Sequence, residues 1–223
     1  MSNKGRRIVI FGTGGFAQVA HFYLTNDSPH EVAAFTVDKE YMKDKELFGL
    51  PIVPFEDVDS KYPPDEFQMF IAIAYNNLNR TRADKYHQAK SKGYSLISYL
   101  NSKSVHWGNT EIGDNCFIFE NQTIQPFVKI GNDVIIWSGN HIGHHSVIGD
   151  HCFITSHVVI SGYAEIGPYC FLGVNSTLRD GVKIAPACII GAGALILKDT
   201  VEKGVYRGRA AELHSADSSQ VKL

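Results

Sequence analysis

The chain has 223 residues, 44% of them hydrophobic, with 21 Lys and Arg against 23 Asp and Glu. This length and composition suit one large or two small globular domains with a buried core. The balanced charge argues against nucleic acid or an anionic membrane surface as a partner.

The sequence has no apolar stretch of the kind that targets or spans a membrane. Arg6 and Arg7 precede only four apolar residues, Ile8 to Phe11, before a glycine-rich turn. This run is far shorter than the apolar region of a signal peptide, and nowhere do 18 apolar residues follow one another. The sequence therefore predicts a cytoplasmic protein that makes no membrane contact.

Residues 1–100 predict a small Rossmann-like α/β domain. Strands at Arg7–Phe11 and Glu31–Val37 enclose a glycine turn and a helix over 16–24, which is a βαβ unit. Further elements are predicted as a strand at 68–74, a helix at Arg80–Ser91 and a short strand at 95–99, with 38–64 mostly loop around one extended piece.

The glycine turn is the first candidate binding motif. The segment 12–17, Gly-Thr-Gly-Gly-Phe-Ala, matches G-x-G-x-x-A between a strand and a helix, where backbone N–H groups hold a phosphate. Asp38, at the end of the second strand, suits hydrogen bonds from a ribose. Gly12, Thr13, Gly14 and Asp38 are therefore predicted to bind a nucleotide, and a purely structural tight turn is the alternative. Because so short a domain offers little more than one mononucleotide half, a mononucleotide diphosphate fits better than a dinucleotide.

A second motif, Ala-Tyr-Asn-Asn at 74–77, follows the third predicted strand. Open α/β sheets bind ligands at the carboxyl ends of their strands, which would place these residues in a ligand site. An Asn that caps the following helix is the alternative interpretation.

The second half of the chain is a hexapeptide repeat. From Ile112 to Ile196 an Ile or Leu recurs at every sixth position without interruption, and Gly follows seven of these fifteen residues. Such a repeat predicts a parallel β-helix of about five coils, with three short strands in each coil.

The repeat also sets the domain limits and the expected state of the cysteines. We predict the β-helix over 101–211 and a disordered polar tail over 212–223. All four Cys occupy the fifth place of a hexad, so they are expected in one interior column as free packing residues rather than disulfides or zinc ligands. These residues are Cys116, Cys152, Cys170 and Cys188.

Five of the ten histidines lie between residues 141 and 157. His144 holds the third place of its hexad, and Gly162 holds the same place 18 residues later, one coil higher. This stacking would set an imidazole beside a glycine N–H, which is the arrangement of a general base next to an oxyanion donor.

The segment 144–167 resembles the active-site region of bacterial sugar acyltransferases with left-handed β-helices, which acetylate nucleotide-linked amino sugars or sialic acid. Those proteins typically read His-Glu-Cys-x-Ile-Gly-Asp there, followed by Ser-Gly or Ala-Gly and a further Ile-Gly. They also have an N-terminal glycine-rich βαβ domain that holds the nucleotide of the acceptor, so the resemblance covers both domains. It implies a homotrimeric, metal-free N-acetyltransferase that transfers acetyl from acetyl-CoA to a nucleotide-linked amino sugar in bacterial surface glycan synthesis.

The resemblance also implies roles for individual residues. His144 matches the general base, and Gly162 matches the residue whose backbone N–H faces the thioester oxygen of the cofactor. Gly173, Ile190 and Gly191 lie in the stretch along which pantetheine runs.

Three positions depart from the family pattern. His145 stands where the family has Glu, so the carboxylate partner of the base is missing. His157 stands where a small residue is common, with Asn175 one coil above, and both are predicted to line an acceptor pocket or to replace the missing partner. The ending at 208–211 reads Gly-Arg-Ala-Ala instead of Gly-Asn-Pro-Ala, where Arg209 could contact cofactor phosphates or remain solvated.

Other functions stay open at this point. One is O-acetylation of a sugar hydroxyl, as in the sialic acid enzymes. Another is a zinc-dependent β-helix carbonic anhydrase using His106, His141 and His145, which would leave the nucleotide-like domain unexplained. The third is a non-catalytic nucleotide-sugar sensor or scaffold.

Overall fold

The computed structural model describes residues 7–212 and residue 219. No helix in this part of the chain is long and apolar enough to cross a membrane. The predicted disordered tail, apart from residues 212 and 219, falls outside the described residues.

The N-terminal domain is a five-stranded sheet in the order β3-β4-β2-β1-β5, parallel except for β3. Its central strand is fully buried at Ile8, Val9 and Ile10, as expected when both faces of a parallel sheet are covered. The strands are β1 Arg7–Phe11, β2 Glu31–Val37, β3 Glu46–Leu47, β4 Leu50–Pro54 and β5 Phe67–Ile71, and the helices are α1 Gly15–Asn26, α2 Val58–Lys61 and α3 Arg80–Ser91.

Two predicted stretches of this domain differ from the structure. The segment 38–64 is not mostly loop: besides β3, β4 and α2 it forms 3₁₀ turns at Lys39–Tyr41 and Phe55–Asp57. Burial of Val53, Phe55 and Val58 in the domain core explains this order despite four prolines. The third strand ends at Ile71, because residues 72–74 line a cleft instead.

The rest of the chain forms the left-handed parallel β-helix that the repeat predicted. Each two-residue strand pairs in parallel with the strand 18 residues later, as Ile130 does with Ile148. The repeating Ile and Leu side chains point inward and form one continuous core.

The strands build three faces. The first face contains Glu111–Ile112, Lys129–Ile130, Val147–Ile148, Glu165–Ile166 and Lys183–Ile184. The second face contains Tyr99–Leu100, Phe117–Ile118, Ile135–Ile136, Phe153–Ile154, Phe171–Leu172, Ile189–Ile190 and Val205–Tyr206. The third face contains Thr123–Ile124, His141–Ile142, Val159–Ile160, Thr177–Leu178 and Leu195–Ile196.

The chain turns between faces at the fourth place of each hexad, where φ lies between 53° and 80°. Left-handed backbone is uncommon outside glycine, although Asn, Asp and His adopt it more readily than most residues. Because the period is 18 residues, these turns form three columns, each named here after one member. The Asp133 corner is Asn115, Asp133, His151, Tyr169 and Ala187; the His157 corner is Asn121, Gly139, His157, Asn175 and Gly193; and the His145 corner is Phe127, His145, Tyr163 and Gly181.

The N-terminal domain docks on the second face and on the Asp133 corner. The outward aromatic side chains Phe117, Phe119 and Phe153 share a hydrophobic core with β1 and β5. At the corner, the fully buried Arg82 places its Nε 3.0 Å from Oδ1 of Asp133. The docked domain therefore covers one face, and the His145 corner lies between the other two.

The interior holds the four cysteines as predicted, free and buried. Burial raises the pKa of the Cys116 thiol to about 12. Such a thiol stays protonated at neutral pH, which suits a packing role.

Candidate active site

The glycine turn forms one wall of a cleft of about 620 Å³. Gly12 has φ +113°, and a Cβ on it would lie 2.9 Å from the carbonyl oxygen of Ala72, so only glycine fits there. α1 begins at Gly15 directly behind the turn and points its unpaired N–H groups at the cleft. Gly12, Thr13, Gly14 and Asp38, all predicted from the sequence, are brought together in this cleft.

A lysine missed by the sequence analysis joins them. Nζ of Lys85, on α3, lies 2.6 Å from Oδ1 of Asp38, and both side chains line the cleft. A cation beside a glycine-rich turn is the arrangement expected for a phosphate. The 74–77 motif also reaches the cleft through Asn76. The residue that caps α3 is Asn79, without a side-chain cap bond, so the structure does not support the capping interpretation.

His144 and Gly162 lie together as the 18-residue spacing predicted. A Cβ on Gly162 would lie 2.9 Å from Cε1 and 3.0 Å from Nε2 of His144, so the imidazole packs directly against the glycine. The exposed His144 is held by its own N–H, which donates to Oε1 of Gln125 at 2.9 Å. Within residues 7–212 no acceptor takes the Gly162 N–H and no hydrogen bond reaches Nε2 of His144. A base and a donor are therefore both unoccupied at one point of the surface.

His145 contacts the same imidazole. Its Nδ1 lies 3.2 Å from Nδ1 of His144. Its ring is stacked on Tyr163 at 4.8 Å and packs on Phe127 at 4.6 Å.

His157 and Asn175 lie at the His157 corner, on the other edge of the third face. The imidazole of His157 packs against Gly139, one coil below. No hydrogen bond joins the side chains of His157 and Asn175, both of which are described and exposed. The structure therefore stacks them without bringing them to His144.

The predicted cofactor residues lie along that same edge. Gly173 donates its N–H to the carbonyl of Ile190 at 2.7 Å, and Gly191 donates to the carbonyl of Tyr206 at 2.7 Å. The side chain of Ile190 is buried in the helix interior, so only its backbone reaches the surface region. The exposed Arg209 lies 3.4 Å from Glu212.

No group of three or more His, Cys, Asp or Glu in the described part of the chain is arranged to hold a metal ion.

Two family models match the chain. Residues 7–89 match the PglD N-terminal domain. Residues 109–143, 127–162 and 163–198 match the bacterial transferase hexapeptide of six repeats. Comparison with the curated proteins gives no significant match.

Several solved structures are similar over nearly the whole chain. PerB from Caulobacter crescentus, in complex with CoA and GDP-perosamine, is 25% identical, with coverage of 93% of this chain and 95% of that one and a TM-score of 0.79. A variant of perosamine N-acetyltransferase from the same organism is 24% identical, with the same coverage and a TM-score of 0.80. The acetyltransferase domain of PglB from Neisseria gonorrhoeae is 18% identical, with coverage of 92% and 97% and a TM-score of 0.79.

These matches confirm the resemblance seen in the sequence. The hexapeptide model covers the β-helix, the PglD model covers the Rossmann-like domain, and the structural likeness extends over both. The chain therefore belongs to the hexapeptide-repeat acyltransferases of left-handed β-helix fold, with an N-terminal domain of the PglD type.

Proposed function

We propose that the protein transfers acetyl from acetyl-CoA to the amino group of a nucleotide-linked amino sugar. The observation that carries this proposal is the His144 imidazole packed against Gly162, whose N–H is unoccupied. The glycine-rich cleft of the N-terminal domain supports the nucleotide part of the acceptor. CoA and GDP-perosamine bound to the similar PerB support the two substrate classes.

In this reaction the sugar amine attacks the thioester carbonyl, and Nε2 of His144 removes a proton from the amine. A C–N bond forms, and the Gly162 N–H stabilises the oxyanion of the tetrahedral intermediate. The C–S bond then breaks, and the CoA thiolate takes up the proton that His144 holds. General-base catalysis of this kind contributes about 10² to 10⁴ in rate.

The acceptor cleft and His144 do not lie on the same side of one chain. All residues that line the cleft belong to the domain docked on the second face, whereas His144 lies beside the corner opposite that face. A nucleotide held in the cleft is therefore expected to present its sugar to the His144 of another copy. This geometry supports a homo-oligomer, which we propose is a trimer.

The third face is the expected contact between copies. The first face carries cross-strand ion pairs, Lys129 with Glu111 at 3.0 Å and Lys183 with Glu165 at 3.2 Å. The outward side chains of the third face carry no Asp, Glu, Lys or Arg and include the exposed Val159 and Leu195. Because Gly162 borders one edge of this face and Gly173 and Gly191 the other, a second copy packed here would bring both edges to one cofactor. The listed contacts of a single chain do not join them.

The test is a thiol-release assay with acetyl-CoA and a panel of UDP-, dTDP- and GDP-linked amino sugars. We expect turnover with one acceptor, and a 10²- to 10⁴-fold lower kcat in His144→Ala. The matched control is His106→Ala, another exposed histidine, which should leave kcat unchanged.

Each other result points to a different function. Full activity of His144→Ala would contradict its role as the base. Turnover confined to free sugar hydroxyls, sialic acids included, would indicate O-acetylation. Nucleotide-sugar binding without CoA binding would indicate a sensor or scaffold.

A further inference from the structure

His145 occupies the position next to the proposed base, and its surroundings fix its ring. The imidazole lies between two aromatic side chains of the same corner, Phe127 at 4.6 Å and Tyr163 at 4.8 Å, with an interplanar angle of 15° to the latter. Tyr163 also meets His144 edge-on at 5.0 Å. The three aromatic groups therefore leave His145 little freedom to rotate.

This fixed ring directs Nδ1 at the base. The distance between the Nδ1 atoms of His144 and His145 is 3.2 Å, which is a hydrogen bond when one nitrogen carries the proton and the other accepts it. Tyr163 is the titratable side chain that contacts both rings, and no Asp, Glu, Lys or Arg in the described residues pairs with either imidazole.

The proposed function decides which nitrogen donates. His144 acts through Nε2 only if that nitrogen is unprotonated, and then its proton resides on Nδ1. Nδ1–H of His144 must therefore donate to a neutral Nδ1 of His145, whose own proton resides on Nε2. The hydrogen bond at one ring nitrogen sets the protonation of the other.

We infer that His145 is the positioning residue of His144, selecting the tautomer with Nε2 free and accepting the Nδ1–H bond that carries positive charge during catalysis. When Nε2 takes the amine proton, His144 becomes an imidazolium that still donates to His145. The faces of Phe127 and Tyr163 suit the share of charge that passes to the second ring. This inference rests on the proposed function, since it assumes that His144 is the base.

The test compares three substitutions of His145. His145→Phe keeps the aromatic packing, which this corner accepts because Phe127 and Tyr163 have the same left-handed backbone, but it removes the acceptor. His145→Asn tolerates that backbone and restores an acceptor. His145→Glu adds a carboxylate, which favours the charged form of His144.

We expect kcat to fall about 10- to 100-fold in His145→Phe, the size seen when the hydrogen-bond partner of a metal-bound imidazole is removed. His145→Asn should recover most of it. His145→Glu should move the acid limb of the pH profile of kcat/KM to higher pH, since a more basic His144 is protonated sooner as the pH falls. Wild-type kcat with an unchanged pH profile in His145→Phe would overturn the inference.

A second measurement separates this inference from the proposed function. ¹⁵N chemical shifts of the imidazoles near pH 8 report which nitrogen carries the proton, whether or not an acceptor substrate is known. We expect Nδ1–H on His144 in the wild type and a shift toward Nε2–H in His145→Phe. Nε2–H on His144 in the wild type would overturn the inference, whereas the expected shifts without turnover would leave the pair standing and count against the acetyltransferase.

Discussion

Two corners of the β-helix have the same backbone and opposite chemistry. His145 and His151 both have φ 61° and both stack on a tyrosine one coil above, Tyr163 and Tyr169 respectively. His151 is buried beneath the N-terminal domain, and His145 is exposed.

The difference lies in how completely the polar groups are paired. At the Asp133 corner, Asp133 accepts hydrogen bonds from Arg82 and Asn115 and lies 2.8 Å from Nδ1 of His151. Buried polar groups that are fully paired hold a structure in one arrangement. At the His145 corner, Nε2 of His144 and the N–H of Gly162 have no partner in the described chain and face solvent. One corner therefore fixes the domains, and the other offers groups to a substrate.

The largest expected effect comes from breaking the buried corner. Arg82→Leu should lower the free energy of unfolding by about 3–5 kcal/mol, because Asp133 would remain buried without its cationic partner. Burial already lowers the pKa of Arg82, against the opposing effect of Asp133, which shows how much this pair depends on staying together. Guanidinium unfolding at neutral pH measures the loss.

The exposed pair Lys183–Glu165 is the matched control for this variant. Their side chains are 62% and 58% exposed, with the charged atoms 3.2 Å apart. Lys183→Met should therefore cost less than about 1 kcal/mol. Equal losses in the two variants would show that burial at the Asp133 corner does not matter.

The second effect, at the exposed corner, concerns activity rather than stability. Gly162→Ala would place a methyl group about 3 Å from Cε1 and Nε2 of His144, so the imidazole must move. A misplacement of about 1 Å can cost about 10²-fold in kcat. Because His144 is exposed and free to shift, thermal unfolding should change little.

A double variant shows whether this loss acts through His144. If Gly162→Ala works by displacing the base, adding it to His144→Ala should lower kcat no further. Additive losses would mean that the glycine acts independently of His144, for example through its own N–H.

The sequence alone was enough to predict that His144 and Gly162 meet. In-register parallel strands make residues 18 apart equivalent, so the coil geometry follows from counting. The hexad pattern also predicted the interior cysteines and the fold. The same regularity explains why β1, β2 and α3 were predicted with their observed bounds.

The partners that depend on docking or on a local turn were not predictable in this way. α3 is polar along its length, and nothing in it marks Arg82 as buried or Lys85 as the partner of Asp38. His145 was interpreted as the loss of a carboxylate partner. Neighbouring residues point apart in a regular strand, but the left-handed turn at His145 brings the two rings together.

The smallest effect tests a second, more exposed contact between the domains. Asp27, just after α1, accepts hydrogen bonds from the hydroxyl of Tyr99 at 2.6 Å and from the backbone N–H of Ser102 at 2.9 Å. The hydroxyl of Ser102, with that of Tyr99, holds the pKa of Asp27 below its ordinary value. A lowered pKa in the folded state means that the charged carboxylate stabilises the fold above about pH 4, and that this contribution disappears as the pH falls through the folded-state value.

Asp27→Asn should therefore lower the free energy of unfolding at pH 7 by about 1 kcal/mol, well below the Arg82 effect because this contact is partly solvated. Urea unfolding of both proteins at pH 7 and near pH 3 measures the difference. The gap should narrow at the lower pH, because the wild-type carboxylate is then increasingly protonated and resembles the amide. A gap of the same size at both values would show that the charge of Asp27 does not contribute. A gap as large as that of Arg82→Leu would show that burial is not what separates the two interdomain contacts.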